Sequence, residues 1–427
     1  MISLIECKNY RCLKYIKQEL NNFQILIGPN ASGKTTLLDV VGFIADIIKE
    51  GIDAAISKRS SNYIDLTFAG QGGNIELAIE VALPNDIREK LGDTDFVTIR
   101  YEIKIGLDDV TYEHIIKEER VLLLKSNTKF TLNLKGVTKS LFPENAIAPT
   151  TILNQNYTIK GSSRPVIKKK EKGNDNFYIE TTTEYNRSGG WLPSFKFGPK
   201  RSALGNLPAD ETKFPASTWL KDFLSDGIQI FVLDSLNIRN ASPPGQVKKF
   251  KPDGSNLPWV IEELYKRPER YDKWIKHLKT ALPDIETIDT RERQDDKHRY
   301  LRVHYANDIV VPSWLVSDGT LRLLALTLPA YLQDFKGVYL IEEPENGIHP
   351  KAIESVYQSL SSVYNAQILM ASHSTVFLSL IHLNDILCFA KTKDGITDIV
   401  KGINHPFLKD WQGKVNLSEL FAGGILG

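Results

Sequence analysis

The chain has 427 residues, 42% hydrophobic and 25% charged, with a formal net charge of +1. That balance suits a soluble globular protein of two or three domains and excludes a polycation, so any nucleic-acid contact must come from a local patch. No apolar run is long enough to span a bilayer, Met1 leads directly into a strand-like run rather than a signal peptide, and Cys7, Cys12 and Cys388 show neither metal spacing nor an even framework, which points to a reduced, cytoplasmic setting.

Residues 1–27 predict two strands, Ile2 to Lys8 and Phe23 to Ile27, with Asn9-Tyr10-Arg11-Cys12-Leu13 between them. The second strand runs straight into Gly28-Pro29-Asn30-Ala31-Ser32-Gly33-Lys34-Thr35, which fits G-x-x-x-x-G-K-[ST], the phosphate-binding P-loop. Apolar spacing over 35–50 predicts a helix, with Gly51 as its stop. Period-two alternation follows through 62–82 and 97–106. It is carried by Ile64, Leu66 and Phe68, then Ile75, Leu77, Ile79 and Val81, then Val97, Ile99, Tyr101, Ile103 and Ile105. With similar runs near 118–125 and 128–135, it predicts a mostly antiparallel sheet flanking the P-loop core.

Residues 136–200 are less regular. Lys168 to Asp175 reads as a charged turn or mobile loop, either solvated or in contact with a phosphate backbone. Tyr178 to Thr183 predicts a strand and Trp191 to Pro208 an ordered loop. A helix is expected from Pro215 to Asp226, a strand from Ile228 to Leu233, and a broken helical stretch from Trp259 to about Leu282 without heptads. Residues 284–304 predict strands split by the charged turn Arg291 to Lys297. An apolar helix then follows Ser317-Asp318-Gly319-Thr320. A buried strand, Gly337 to Ile341, ends at Glu342-Glu343-Pro344. An amphipathic helix, Lys351 to Tyr364, leads to a last buried strand, Gln367 to Ala371, which ends at Ser372-His373-Ser374. Such helix and strand pairs predict a parallel sheet with crossover helices, and ligands at the carboxyl ends of its strands.

Phosphoryl transfer needs charge neutralisation and an aligned water more than covalent chemistry. Strand, glycine turn and helix put backbone N–H groups around an anion, so Gly28 to Thr36 would grip a nucleotide. Lys34 would reach its β- and γ-phosphates and Thr35 would hold Mg²⁺. Glu342 is assigned to the Mg²⁺ side, through water, and Glu343 to the base that orients the attacking water; the other reading is an exposed acidic turn. His373 either bonds the γ-phosphate or attacking water or is structural. His349 is the weaker candidate for such a role, the other reading being that it only shapes its turn. Ser317, Asp318 and Gly319 offer a hydroxyl, N–H groups and a positive helix end to an anion, or form an ordinary helix cap. Arg11 either reaches the nucleotide or is a surface arginine.

These motifs, in this order, resemble the ABC-type ATPase heads of the structural-maintenance-of-chromosomes, RecF and OLD group. Walker A falls at Gly28–Thr35, the signature at Ser317–Thr320, Walker B at Leu340–Glu343, a D-loop-like stretch at Glu345–Pro350 and a switch histidine at His373; Asn9-Tyr10-Arg11 looks like the group's Asn-Phe-Arg. The resemblance covers the first fifty and last hundred or so residues. It looks most like the compact ATPase subunits of anti-phage defence systems of the Septu, PARIS and methylation-associated types. It implies an α/β P-loop head that binds ATP and Mg²⁺, with two heads sandwiching two ATP molecules so that Ser317 and Gly319 contact the nucleotide on the partner's P-loop. Val316-Ser317-Asp318-Gly319-Thr320 departs from the transporter signature, and Glu342 stands where Asp is usual; both argue against a transporter subunit. Gln155 is a Q-loop candidate by position only.

The expected organisation is an ATPase head from residues 1–60 and 300–427, with strands of 62–135 in its flanking sheet, and an inserted β-rich and helical lobe at 136–299. Past His373 the chain is too short for a Toprim nuclease domain, and no coiled-coil arms are expected. The expected function is a switch subunit that dimerises, or forms a higher oligomer, around ATP and controls a separately encoded effector or nuclease, with no membrane partner. The alternatives are a DNA-binding repair ATPase similar to RecF, using Lys248–Lys251 and Arg291–Arg302, and a low-turnover ATP-binding scaffold.

Overall fold

Two kinds of hydrophobic pattern, alternating runs and short continuous apolar runs, sort the chain into two kinds of sheet. The computed structural model describes residues 1–126, 148–153, 162–182, 194–247, 249–332, 335–392 and 395–405. Residues 128–135, Gln155, Thr183, 191–193 and Lys248, which carried expectations above, lie outside them. The strands are β1 (Ile2–Tyr10), β2 (Leu13–Glu19), β3 (Phe23–Ile27), β4 (Ile75–Ala82), β5 (Phe96–Leu107), β6 (His114–Lys125), β7 (Ser163–Lys170), β8 (Asn176–Phe177), β9 (Ile228–Phe231), β10 (Ile285–Glu292), β11 (Arg299–Tyr305), β12 (Ile309–Pro312), β13 (Val338–Glu342), β14 (Gln367–Ala371), β15 (Ile386–Lys391) and β16 (Thr397–Lys401). The helices used below are α1 (Lys34–Glu50), α2 (Pro215–Asp226), α3 (Leu257–Tyr265), α4 (Pro268–Ala281), α5 (Asp318–Thr327) and α6 (Pro350–Ser361). The chain divides into two units. The first is Met1–Asn21, Pro29–Ile228 and Phe389–Val400; the second is Asn22–Gly28, Gln229–Cys388 and Lys401–Gly427.

The first unit holds the antiparallel sheet predicted from alternation, in the order β2-β1-β4-β5-β6-β7-β8. Its apolar face is set by register: Ile5 pairs with Ile79, Ile79 with Tyr101, Tyr101 with Val121 and Val121 with Ile167, all buried. Helix α1 packs against β1 and β4 and also meets α2. The opposite face is charged yet also covered. Arg100 is 0% exposed and donates to Glu6 (2.6 Å), Glu102 (2.7 Å) and Glu80 (3.0 Å). Ile152 and Leu153 pack on Ala78 of this face, and Glu76 accepts the Ile152 N–H at 2.8 Å.

Four expectations are corrected here. Strand β2 is an extra strand; its sequence, LKYIKQE, is too polar to announce itself. Ile64, Leu66 and Phe68 lie in 3₁₀ turns (Tyr63–Leu66 and Phe68–Gly70), because the Asn62 side chain caps the Ile64 N–H and Asn9 accepts the Phe68 N–H. The charged stretch at 168–175 turns β7 into β8, and Lys169 is spent inside, on Asp175 (2.7 Å) and the Gly198 carbonyl (2.8 Å). Instead of the strand expected from Tyr178, pairing stops after Phe177 and a single Tyr178–Val166 bond, as far as the described residues run. Glu180 leaves the sheet to accept the Ala216 (2.6 Å) and Ser217 (3.0 Å) N–H groups at the start of α2. That helix has Pro215 in its first turn and no cap of its own, so the distant carboxylate meets its positive end.

In the second unit lies a largely parallel sheet, in the order β15-β3-β14-β13-β9. Neighbours β15, β3, β14 and β13 are parallel, as continuous apolar runs buried on both faces require. Ile25, Ile27, Tyr339, Ile341, Ile368 and Met370 form one core with Leu321, Leu324, Val356, Leu360 and Trp274 from the helices. The predicted broken helix is α3 followed by α4, and the strands split by a charged turn are β10 and β11, joined by β12.

Arg100→Met leaves Glu6 and Glu102 buried without their guanidinium, and removing one partner of such a cluster costs about 3–5 kcal/mol. The expected result is a loss of that size in urea unfolding; an unchanged midpoint would show that the cluster contributes nothing.

Burial pushes Glu180 from the ordinary 4.5 to about 7, against the opposing bonds from Ser217 and Ala216. Between those values the folded chain keeps a proton the unfolded chain has lost. Glu180 therefore makes stability fall as pH rises through about 4.5 to 7, by up to about 1.4 kcal/mol per unit, and level off above. In Glu180→Gln that component is gone. The difference in unfolding midpoint, wild type minus variant, should decline across the window; a flat difference contradicts the assignment.

Candidate functional site

In the first unit the P-loop sequence forms a tight turn into α1. Gly33 caps the helix at φ 107°, and a Cβ there would lie 2.7 Å from Thr397 Oγ1, so only glycine fits. Ala31 also has positive φ, at 59°. Thr397 donates to the Ser32 carbonyl at 2.9 Å, pinning the turn, and Lys34 Nζ donates to the Pro29 carbonyl at 2.9 Å. Pro29, Asn30, Ala31 and Thr35 are exposed, whereas Ser32, Lys34 and Thr36 are buried. Cys12 Sγ lies 3.3 Å from Thr36 Oγ1. The buried Ser32 hydroxyl has no protein hydrogen-bond partner. A curled backbone at a helix N-terminus, an exposed threonine hydroxyl and a lysine folded over the turn fit a nucleoside triphosphate with its Mg²⁺.

Arg11 sits at φ 48° and pairs with Asp39, one turn into α1 from Thr35, at 3.2 Å. Asp39 also accepts from Tyr10 (2.6 Å) and pairs with Arg59 (2.7 Å). Two guanidinium groups thus share one carboxylate on α1, and both sequence readings of Arg11 are compatible with that. Sequence reasoning missed Arg59, which nothing local marks.

In the second unit the ends of three parallel strands line up. Leu26 pairs with Ala371 and Ala371 with Glu342, so β3, β14 and β13 finish at one edge. Gly28, at φ 149°, follows β3 at that edge; Ser372 and His373 follow β14; Glu342 and Glu343 end β13. Both glutamates are exposed. Glu343 is in the left-handed region at φ 45°, its N–H bonded to the Ala371 carbonyl at 2.8 Å. His373 Nε2 lies 3.9 Å from Glu343 Oε1, and Asn346 donates to Glu343 Oε2. Glu345, given no role from sequence, accepts the Ser372 hydroxyl (2.8 Å) and the His373 N–H (2.7 Å).

Ser317 caps α5, accepting the Thr320 N–H at 3.2 Å, and remains exposed. Asp318 is held by Arg239 through Nε (3.0 Å) and Nη2 (2.6 Å), a contact across 79 residues that sequence could not show. Gly319 lies so close to the next loop that a Cβ would meet the Gly347 carbonyl at 2.6 Å. His349 caps α6 by accepting the Lys351 N–H, as its turn-shaping reading expected. Among the described residues no helix is long and apolar enough to cross a membrane.

Comparison with known proteins agrees with this architecture. The SmcHead bound to the C-winged helix domain of ScpA matches with a TM-score of 0.52 at 13% identity, covering 93% of this chain and 96% of that one. An Smc head domain with an extended coiled coil, bound to the C-terminal domain of ScpA derived from Pyrococcus furiosus, matches with a TM-score of 0.48 at 14% identity, covering 93% and 95%. No curated protein matches. A family model described as "AAA domain, putative AbiEii toxin, Type IV TA system" matches residues 23–379. The span runs from β3 through the strand-end residues to the helix after His373, and the chain belongs to this AAA-domain family, with the α/β fold of P-loop ATPase heads.

Proposed function

We propose that this chain binds ATP with Mg²⁺ and hydrolyses it, and that it works as a cytoplasmic switch subunit, two copies closing around two nucleotides to control a separately encoded effector or nuclease. The observation that carries the reading is the common edge of β3, β14 and β13, where Gly28 opens a P-loop sequence and Glu342, Glu343 and His373 stand at the neighbouring strand ends. Gly28 to Thr36 cradles the phosphates, with Lys34 neutralising the β- and γ-oxygens and Arg11 adding a second cation. Bound Mg²⁺ would be held by Thr35 and, through water, by Glu342, and would neutralise charge on the transferring phosphoryl group. Glu343 takes up the proton of the attacking water, and His373 orients that water or the γ-phosphate. Ser317, Asp318 and Gly319 serve the nucleotide of the second copy.

The toxin and toxin–antitoxin system named in the family description support a role in defence or growth arrest. A repair ATPase reading draws less support. Of its basic stretch, Arg299 is committed to Glu262 (2.9 Å), Arg302 to Asp289 and Arg293 to Asp296 (3.7 Å), and their charges are balanced within the protein.

Lys34→Ala is expected to weaken ATP binding at least a hundredfold in a fluorescent-nucleotide titration; unchanged affinity would remove the phosphate cradle from the reading. Glu343→Gln should bind ATP as the wild type does, hydrolyse it at least about a hundredfold more slowly, and accumulate as a dimer on size-exclusion chromatography with ATP. Undiminished hydrolysis would take the role of base from Glu343, and a monomer under those conditions would remove the two-copy arrangement.

A further inference from the structure

The strand-end centre contains a carboxylate, at the start of the D-loop-like stretch, that has been given no chemical role. Glu345 lies two residues past Glu343, in the loop between β13 and α6. Its Oε1 accepts two bonds from the neighbouring loop, the Ser372 hydroxyl at 2.8 Å and the His373 backbone N–H at 2.7 Å. Ser372 in turn accepts the Ser374 N–H at 3.0 Å, so one oxygen fixes the whole Ser-His-Ser turn. Oε2 is shut away from solvent and has no protein hydrogen-bond partner. The loop carrying Glu345 is itself held on both sides. Its Ile348 N–H returns to the Glu345 carbonyl at 3.0 Å, and Gly319 presses against Gly347 so closely that no side chain fits.

We propose that Glu345 is a positioning residue for ATP hydrolysis, setting the place of His373 relative to Glu343. This rests on the reading that the chain hydrolyses ATP at this edge. The His373 and Glu343 side chains stand 3.9 Å apart, too far for a direct hydrogen bond. Their spacing therefore depends on what holds each of them in place, the backbones that carry them included. Glu343 is placed by the β13 end and its bond to Ala371; His373 is placed by the β14 end and by Glu345. A shift of about 1 Å in such a pair costs up to about a hundredfold in rate. Glu345 acts through a backbone N–H and a hydroxyl, so its effect reaches the reaction only by way of His373.

That dependence gives the test. Turnover, KM, ATP affinity and melting temperature are measured for the wild type, Glu345→Ala, Glu345→Gln, His373→Ala and the Glu345→Ala, His373→Ala double variant. Glu345→Ala should lower kcat tenfold or more while leaving ATP affinity within error, with the melting temperature serving only to show that the variant is folded. Glu345→Gln should stay within about threefold of wild type, because its carbonyl replaces Oε1 and its amide takes the place of the unpartnered Oε2. The double variant should be no slower than His373→Ala alone. Wild-type kcat in Glu345→Ala, or losses that multiply in the double variant, would overturn the proposal while the ATPase reading stands. A wild-type protein that does not hydrolyse ATP would overturn both. Should Glu345→Ala not fold, Glu345→Asp, whose carboxylate is one methylene short of the loop, is judged by the same criteria.

Discussion

The strand register of the parallel sheet is the constraint on which the candidate site depends. Leu26, Ala371 and Glu342 stand in one row across three strands. Adjacent strands are about 4.8 Å apart, so the row spans about 10 Å, the scale of a triphosphate and its attacking water. The three strands are apolar and packed on both faces, and a slip of one residue would turn every side chain to the other face against helices already filled with Leu321, Leu324, Val356 and Leu360. Apolar packing thus places the acidic strand end, and the polar residues merely occupy positions that the core has fixed.

The same physics decides what was legible in the sequence. Strands β3, β13 and β14 could be read because a buried parallel strand is a continuous apolar run, and each breaks abruptly into Gly, Glu or Ser. The P-loop could be read because its glycines answer to local backbone geometry. What could not be read depends on distant partners. Arg100 looks like an exposed strand residue and is wholly buried, because Glu6 and Glu102 come to it from 94 and 2 residues away. Lys169 sits in a charged run that suggested solvent, yet a partner six residues on draws it inside. Arg239 and Asp318 meet across 79 residues, and neither has a local signal. Ile64, Leu66 and Phe68 alternate as a strand does, but Asn62 and Asn9 offer the backbone competing bonds, and 3₁₀ turns win.

The start of α5 and the acidic loop lie against each other within the second unit. A Cβ added to Gly319 at the start of α5 would meet the Gly347 carbonyl at 2.6 Å, while Arg322, one turn on, reaches the Leu233 carbonyl and Ser235. Gly319 therefore has a packing reason independent of any nucleotide.

Glu343 shows where the sheet's stability is spent. A strand sends successive side chains to opposite faces, so Glu342 and Glu343 could not serve one edge if β13 simply continued. The left-handed turn at φ 45° breaks that alternation. Such a conformation in a non-glycine residue costs on the order of 1–3 kcal/mol, and it is less favoured still before a proline, here Pro344. Bonds to the Ala371 carbonyl and from the Asn346 N–H, at 2.8 and 3.0 Å, hold it in place. Strain of this kind persists only where the surroundings over-determine it. The end of β14 on one side and the Asn346 turn on the other do so, at the edge where Gly28 follows β3.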